Sequence, residues 1–202
     1  MTAIQAVVFD IGNVLLGWQP ERVFDRLIGP ERRTALFAEV DLHGMNLRVD
    51  RGAPLGESIA EMRAAHPHWA EEIQLWQDHW DELLSPVLTE SVALMQRLRE
   101  RGLPVYALSN FGTDTFERAR AVHAFLNDFD MAFISGRMGV VKPEPEIFAA
   151  VEEAVPFSPD ALLFTDDNAA NIAMAAQRGW QTHQFLTATA LQSSLQKLGV
   201  RV

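Results

Sequence analysis

The groups able to carry chemistry in this chain fall into four short clusters: Asp10, Ser109-Asn110, Lys142 within Val140-Val141-Lys142-Pro143, and Asp166-Asp167. They bring together carboxylates, a hydroxyl beside an amide, and an ammonium, which are groups that bind hard cations and anions and carry charge to a reacting centre. Taken singly, each also fits a local structural task. Asp10 suits a turn, Ser109-Asn110 a helix start, Lys142 a solvated loop, and Asp166-Asp167-Asn168 an N-cap with carboxylates favoured by the helix dipole. What sets the clusters apart is where they fall.

Three of them stand directly after short apolar runs. Ala6-Val7-Val8-Phe9 stops at Asp10-Ile11-Gly12-Asn13, Val105-Tyr106-Ala107-Leu108 at Ser109-Asn110, and Leu162-Leu163-Phe164-Thr165 at Asp166-Asp167-Asn168. Met131-Ala132-Phe133-Ile134, ending in Ser135-Gly136, is a similar run, and Thr182 to Phe185 is a weaker fifth. Apolar runs without alternation suit strands buried on both faces, as in a parallel sheet. Between them the period turns helical. Pro86 to Arg101 carries Leu88, Val92, Met95 and Leu98 on one stripe ahead of Gly102. The segment after Glu144 carries Ile147, Val151 and Ala154, and Ala169 to Arg178 carries Ile172, Ala175 and Ala176 ahead of Gly179. Glycine just past a stripe is a helix stop. Strands alternating with helices predict an α/β fold with a doubly wound parallel sheet. Ligands of such sheets bind at the carboxyl ends of the strands, so the clusters share one rim.

From Trp18 to Ser85 the alternation lapses. Pro20 marks a first helical turn, and Leu36 to Leu42, Ile59 to Met62, and Ile73, Trp76, Trp80 and Leu83 give helical signals with no strand among them. This predicts an inserted all-helical lobe over residues 18–85, with an α/β core made of residues 1–17 and 86–202. Four of the five tryptophans (Trp18, Trp69, Trp76, Trp80) lie in the lobe. They read as a small helical core needing large side chains rather than a cofactor-stacking box.

Composition narrows the classes. The 202 residues are 48% hydrophobic and 22% charged, enough for one sizeable core. Seventeen Lys+Arg against 27 Asp+Glu leave a net charge of -10, which repels nucleic acid and anionic membranes. The absence of cysteine excludes disulfide scaffolds, thiolate zinc sites, Fe–S clusters and cysteine nucleophiles. Met1 to Asp10 shows no basic segment leading into a long apolar one, and no run approaches the roughly 20 residues of a spanning helix. The expectation is a cytoplasmic protein with neither nucleic acid nor membrane as partner.

In this order, with a helical insert after the first strand, the clusters make the sequence resemble the haloacid dehalogenase-like hydrolase superfamily over almost the whole chain. The motifs are Val7-Val8-Phe9-Asp10-Ile11-Gly12-Asn13-Val14, Leu108-Ser109-Asn110, Lys142-Pro143-Glu144-Pro145-Glu146-Ile147-Phe148 and Phe164-Thr165-Asp166-Asp167-Asn168. Phe9-Asp10-x-Gly12-Asn13-Val14 together with Asp166-Asp167-Asn168 is most similar to bacterial sugar-phosphate phosphatases of the glucose-1-phosphate type. The resemblance implies a Rossmann-like hydrolase core with a helical cap, and hydrolysis of a small phosphorylated metabolite. Asp10 would attack phosphorus and form an aspartyl-phosphate. The Ser109 hydroxyl and the Asn110 backbone N–H would hold phosphate oxygens, and Lys142 would neutralise both Asp10 and the phosphoryl oxygens. Mg²⁺ would sit between Asp10, the Gly12 carbonyl and Asp167, with Asp166 in support. Charge agrees with that assignment: Asp10, Asp166 and Asp167 against Lys142 sum to -2, which a divalent cation brings to zero. Asn171 either steadies the Asp166-Asp167 loop by hydrogen bonding or lies exposed on its helix.

The sequence departs from the family two residues after Asp10. Most phosphatases of the superfamily carry there an aspartate that protonates the leaving alkoxide and later activates water; here the residue is Gly12. A lost acid or base costs about 10²–10⁴-fold in rate. Either the substrate has a good leaving group, or a cap residue or water replaces the acid, or catalysis is weak. His43, His66, His68 and His79, and Glu57 near Arg51-Gly52, are the candidate replacements. Two other functions compete with the phosphatase: a weakly active or non-catalytic phosphate-binding protein, and a metal-independent 2-haloacid dehalogenase. The dehalogenase pattern has tyrosine where Gly12 stands and lacks paired aspartates in the fourth motif, and the single tyrosine here, Tyr106, lies in a strand. Specificity rests with cap side chains, among which periodicity does not separate Arg22, Arg26, Arg48 and Arg51.

Overall fold

The structure, a computed structural model, describes residues 2–202. Strand β1 (Ala6–Phe9) is followed by helices α1 (Pro20–Ile28), α2 (Pro30–Glu39), α3 (Leu42–Asp50), α4 (Leu55–Ala65), α5 (Ala70–Asp78), α6 (Trp80–Leu83) and α7 (Thr89–Glu100). Alternation then sets in: β2 (Val105–Ser109), α8 (Thr113–Val122), β3 (Met131–Ile134), α9 (Ser135–Met138), α10 (Pro145–Ala154), β4 (Leu162–Asp166), α11 (Ala169–Gln177), β5 (Gln181–Gln184) and α12 (Ala188–Lys197). The sheet is parallel throughout, in the order β3-β2-β1-β4-β5, so the fold is α/β with an inserted helical cap. Central position puts β1 between β2 and β4, and the polar residues that end these three strands therefore meet.

The two-residue period of β1 sends Val7 and Phe9 to one face, against Val92, Met95 and Leu98 of α7 and Leu191 and Leu195 of α12. Ala6 and Val8 face the opposite layer, with Ile147, Phe148 and Val151 of α10 and Phe164 of β4. A third apolar cluster runs without a break from the cap (Phe24, Leu36, Met45, Trp76) through Ile11 and Leu16 to Phe111 and Phe116 beside the sheet. Cap and core thus share buried surface, which fixes the cap over the strand ends. The two strands of chain that join cap to core run side by side: Gly17 N–H donates to the Pro86 carbonyl, and Leu88 N–H to that of Leu15. A Cβ at Gly17 would stand 2.7 Å from the Ser85 carbonyl oxygen, so only glycine permits this approach.

Several sequence expectations shift. The helix expected from Pro86 begins at Thr89, because Pro86 to Leu88 are occupied in pairing with the Leu15–Gly17 segment. The Leu36 to Leu42 signal divides at Val40-Asp41, where Asp41 caps α3 by accepting from Gly44 N–H at 2.8 Å. Ile73, Trp76, Trp80 and Leu83 are all buried but belong to two helices, α5 and α6, separated at His79. Met131 is 39% exposed: β3 is an edge strand, and its apolar run lacks the double burial of β1, β2 and β4. Ala154 turns outward, whereas Ile147 and Val151 are buried as expected. Among the described residues no helix is long and apolar enough to cross a membrane.

Candidate active site

Asp10 immediately follows β1, Ser109 and Asp166 end β2 and β4, and Lys142 reaches them from the loop before α10. Lys142 is the hub. Its Nζ lies 2.9 Å from Asp10 Oδ1 and 2.6 Å from Asp166 Oδ2, with the Phe164 ring centroid 5.5 Å away. Its backbone is clamped by the Asn110 side chain, which accepts from Lys142 N–H at 2.7 Å and donates to the Lys142 carbonyl at 3.0 Å. Burial pulls the Lys142 ammonium down, but Asp10 and Asp166 together, by charge and hydrogen bond, outweigh it and hold the group above the ordinary lysine value.

Three donors converge on one oxygen of Asp10. Ile11 N–H, the Ser109 hydroxyl and Lys142 Nζ lie 2.7, 2.7 and 2.9 Å from Oδ1, which leaves Oδ2 as the oxygen for the cavity. Burial pushes the Asp10 carboxyl up to about 7, against Lys142 and with the help of Asp166. Asp166 has no exposed surface and no free oxygen: Lys142 Nζ, Asn168 N–H and Asn171 Nδ2 (3.1 and 2.9 Å) occupy both. Asn171 is therefore buried and works on Asp166, which settles its two readings in favour of the hydrogen bond. Asp167 is more open and accepts from Asn13 Nδ2 at 3.0 Å.

Asn13 also belongs to the site, although its residue type and place in the motif do not announce a role. Its φ of 54° places it in the left-handed region that asparagine tolerates better than most residues. There its amide also accepts from Trp18 N–H at 2.9 Å, tying the exit of β1 to both Asp167 and the entry to the cap. The signal for it was the turn-forming Gly12-Asn13 pair itself.

These groups floor a cavity of about 270 Å³ whose lining includes Asp10, Gly12, Asn13, Ser109, Asn110, Lys142 and Asp167. The cap supplies Trp18, Asn46, Asp50, Trp80 and Leu84, and the β2–α8 loop adds Phe111. None of the cap histidines or arginines singled out from sequence reaches the lining, nor does Glu57. His43 pairs with Glu21, His68 with Glu39, His79 and Arg26 with Glu82, and Arg51 with Glu144 on the Lys142 loop. Trp76 is wholly buried core, as expected, whereas Trp18 and Trp80 serve both core and cavity wall. Asp50 and Asn46 were missed: both lie on a cap helix whose periodicity does not mark them. Carboxylate oxygens of Asp10, Asp166 and Asp167 lie within 4.8 Å of one another, a donor set suited to a hard cation.

Comparison with known proteins gives this arrangement relatives. Residues 4–179 match the family model of haloacid dehalogenase-like hydrolases. The sesquiterpene phosphatase astK of Aspergillus oryzae is 23% identical over 190 residues, 88% of either chain. A HAD family enzyme from Bacteroides thetaiotaomicron, solved in complex with magnesium and inorganic phosphate, is 25% identical with a TM-score of 0.71 over 91% of this chain and 95% of its own. The L-2-haloacid dehalogenase of Xanthobacter autotrophicus, 21% identical with a TM-score of 0.63 over 98% of this chain and 85% of its own, shares the fold.

Proposed function

The chain belongs to the haloacid dehalogenase-like hydrolase family, and from that premise we propose that it is a magnesium-dependent phosphatase acting on a small phosphorylated metabolite through an aspartyl-phosphate on Asp10. The observation that carries this reading is the charge of the cluster. Three carboxylates with oxygens within 4.8 Å of one another face one buried ammonium, and their sum repels a phosphate dianion until a divalent cation joins them. Asp10, the Gly12 carbonyl and Asp167 would hold magnesium, while Asp166, its oxygens already engaged, supports from behind. Bound there, the ion supplies positive charge to the transferring phosphoryl group.

The residues divide the remaining work. Asp10 Oδ2 attacks phosphorus and forms a P–O bond as the ester P–O bond breaks, its other oxygen held by three donors. Lys142 balances the charge of Asp10 and of the phosphoryl oxygens. Ser109 and Asn110 bind those oxygens, the Ser109 hydroxyl exchanging its present bond to Asp10 for one to phosphate. Residues 1–17 and 86–202 then form the catalytic core, and residues 18–85 the cap that selects the leaving group.

A sugar phosphate suits the cavity: Trp18 and Trp80 put apolar surface in its wall for the carbon side of a ring, and Asn46 a polar group for a hydroxyl. Lys142 is the only cation among the described lining residues, so a second anionic group on the substrate would find no partner. The wall of Trp18, Trp80, Leu84 and Phe111 favours a second reading, an isoprenoid phosphate, in keeping with the sesquiterpene phosphatase relative. The carboxylates paired at the end of β4 favour phosphate over halide displacement. The deciding experiment is a panel of sugar, isoprenoid and amino-acid phosphates assayed with and without Mg²⁺. Turnover of a neutral-bodied ester that needs Mg²⁺ and vanishes in Asp10→Asn is expected; metal-independent turnover, or turnover surviving in Asp10→Asn, would refute the reading.

A further inference from the structure

Hydrolysis at this site needs a proton for the leaving alkoxide and a base for the attacking water, and Gly12 supplies neither. The ionisable groups lining the cavity are Asp10, Asp50, Lys142 and Asp167. In the mechanism above Asp10 is the nucleophile, Lys142 is engaged between Asp10 and Asp166, and Asp167 holds the cation. Asp50, the last residue of α3, is left over. It also stands on the required side. An in-line displacement sends the leaving oxygen away from the attacking one, hence from the strand ends toward the cap wall of Trp18, Asn46, Asp50, Trp80 and Leu84. Asp50 is the only ionisable group among the described residues of that wall.

Its position is fixed rather than borne on a free loop. Asn46, one turn earlier on α3, donates to Asp50 Oδ2 at 3.0 Å. The Asp50 carbonyl accepts from the Ser135 hydroxyl at 2.5 Å, and that hydroxyl in turn accepts from Phe111 N–H at 2.8 Å. Ser135 is fully buried, so the end of α3 is pinned to the core between β2 and β3. Next in sequence, Arg51 pairs with Glu144 on the Lys142 loop. Burial pushes the Asp50 carboxyl up to about 7, against the opposing pull of Asn46, the Gly112 N–H and Lys142. A group that titrates near neutrality serves both as acid and as base.

We propose that Asp50 is the general acid–base of this phosphatase, a cap carboxyl doing from across the cavity what position 12 does not. The assignment rests on the phosphatase reading. In the first half-reaction Asp10 Oδ2 bonds to phosphorus, the ester P–O electron pair leaves with the alkoxide oxygen, and that oxygen takes the Asp50 proton. In the second, Asp50 takes a proton from water as the water oxygen bonds to phosphorus, and the Asp10–phosphorus bond breaks to release inorganic phosphate.

The test is Asp50→Asn, isosteric and neutral, assayed with Mg²⁺ on an aryl and an alkyl phosphate that the wild type hydrolyses. An aryl oxide leaves without help, so the first turnover on 4-nitrophenyl phosphate is expected within about 10-fold of wild type. Steady turnover then slows, producing a burst of nitrophenol as the aspartyl-phosphate waits for a base. On the alkyl ester the first turnover itself falls by about 10²–10⁴-fold. Adding Gly12→Asp to Asp50→Asn is expected to restore the alkyl ester rate: a Cβ at Gly12 meets nothing within 4 Å, and the backbone there is outside the left-handed region. An unchanged alkyl-to-aryl ratio in Asp50→Asn overturns the proposal, as does a folded, magnesium-binding double variant with no recovery. If Asp50→Asn melts below the assay temperature, Asp50→Ser reads the same ratio. Wild-type chain that hydrolyses neither ester, or Asp10→Asn that still does, would instead sink the phosphatase reading beneath it.

Discussion

The two walls of the cavity are built on opposite principles. The sheet wall consists of residues placed by adjacent parallel strand ends together with the Lys142 loop and the start of α11, and its charges are tied to one another: Asp10 to Ser109 and Lys142, Lys142 to Asp166, Asp166 to Asn171. The cap wall comes from the segment before α1, from α3, from α6 and from Leu84 after it, and it is aromatic and aliphatic apart from Asn46 and Asp50. One wall has positions but almost no freedom of composition, since removing any partner strands a buried charge. The other keeps only an outline. In the proposed mechanism the first wall supplies the nucleophile and the phosphate contacts, and the second meets the leaving group, with Asp50 as its proton donor.

That contrast is most open to attack at Asp10. Asp10→Asn should reduce phosphate release to background while the far-UV spectrum stays that of the folded wild type, because an amide fills the same space and Lys142 keeps Asp166 as its partner. Substantial turnover in that variant would move the chemistry off the sheet wall. Chelation comes next. EDTA should abolish activity and excess Mg²⁺ should restore it, since the cluster otherwise presents net negative charge to an anionic substrate. Activity indifferent to chelation would break the electrostatic account of the same wall.

The walls also differ in how far they could be read from sequence. Asp10, Ser109 and the Asp166-Asp167 pair were legible because a buried parallel strand is a contiguous apolar run whose end the strand itself places at the rim; Lys142, which follows no strand, was legible only from its Lys142-Pro143-Glu144 motif. Register did the rest. Asp50 and Asn46 were invisible for the converse reason. They sit a turn apart on α3, and which face of that helix looks into the cavity depends on how six cap helices pack. The cap histidines stand out in sequence as titratable groups, yet each of His43, His68 and His79 pairs with a cap carboxylate away from the cavity. The start of α7 was misplaced because Pro86 to Leu88 pair with a segment about seventy residues earlier, a non-local contact that local periodicity does not report.

Smaller effects sharpen the contrast. Asp166→Asn removes a wholly buried charge from beside Lys142 and is expected to destabilise the fold by about 1–3 kcal/mol in urea unfolding, with turnover falling as well. Trp18→Leu, on the other wall, should leave kcat near wild type and raise KM by about 10-fold, the signature of lost uniform binding. If Trp18→Leu lowered kcat as much as Asp166→Asn does, the division of labour between the walls would be wrong.

The smallest expected effect lies beyond both walls, on the layer of α10 and α11. Glu152 accepts from Arg178 at 2.8 and 2.6 Å and from the Trp180 indole at 2.8 Å. The Arg178 hydrogen bonds, helped by Trp180 and opposed by partial burial, hold its carboxyl below the usual glutamate value. An acid with a lowered folded-state value contributes stability above its unfolded pKa, and that contribution fades as pH falls through the folded one. Glu152→Gln should therefore cost about 0.5–1 kcal/mol at pH 7, the difference from wild type closing under acid conditions, with no change in turnover at neutral pH. Urea unfolding at several pH values measures it. A deficit that persisted in acid would make the contact one of packing rather than charge. A loss of turnover would show that this layer reaches the strand ends through β4, and that the sheet wall is less self-contained than its hydrogen bonds imply.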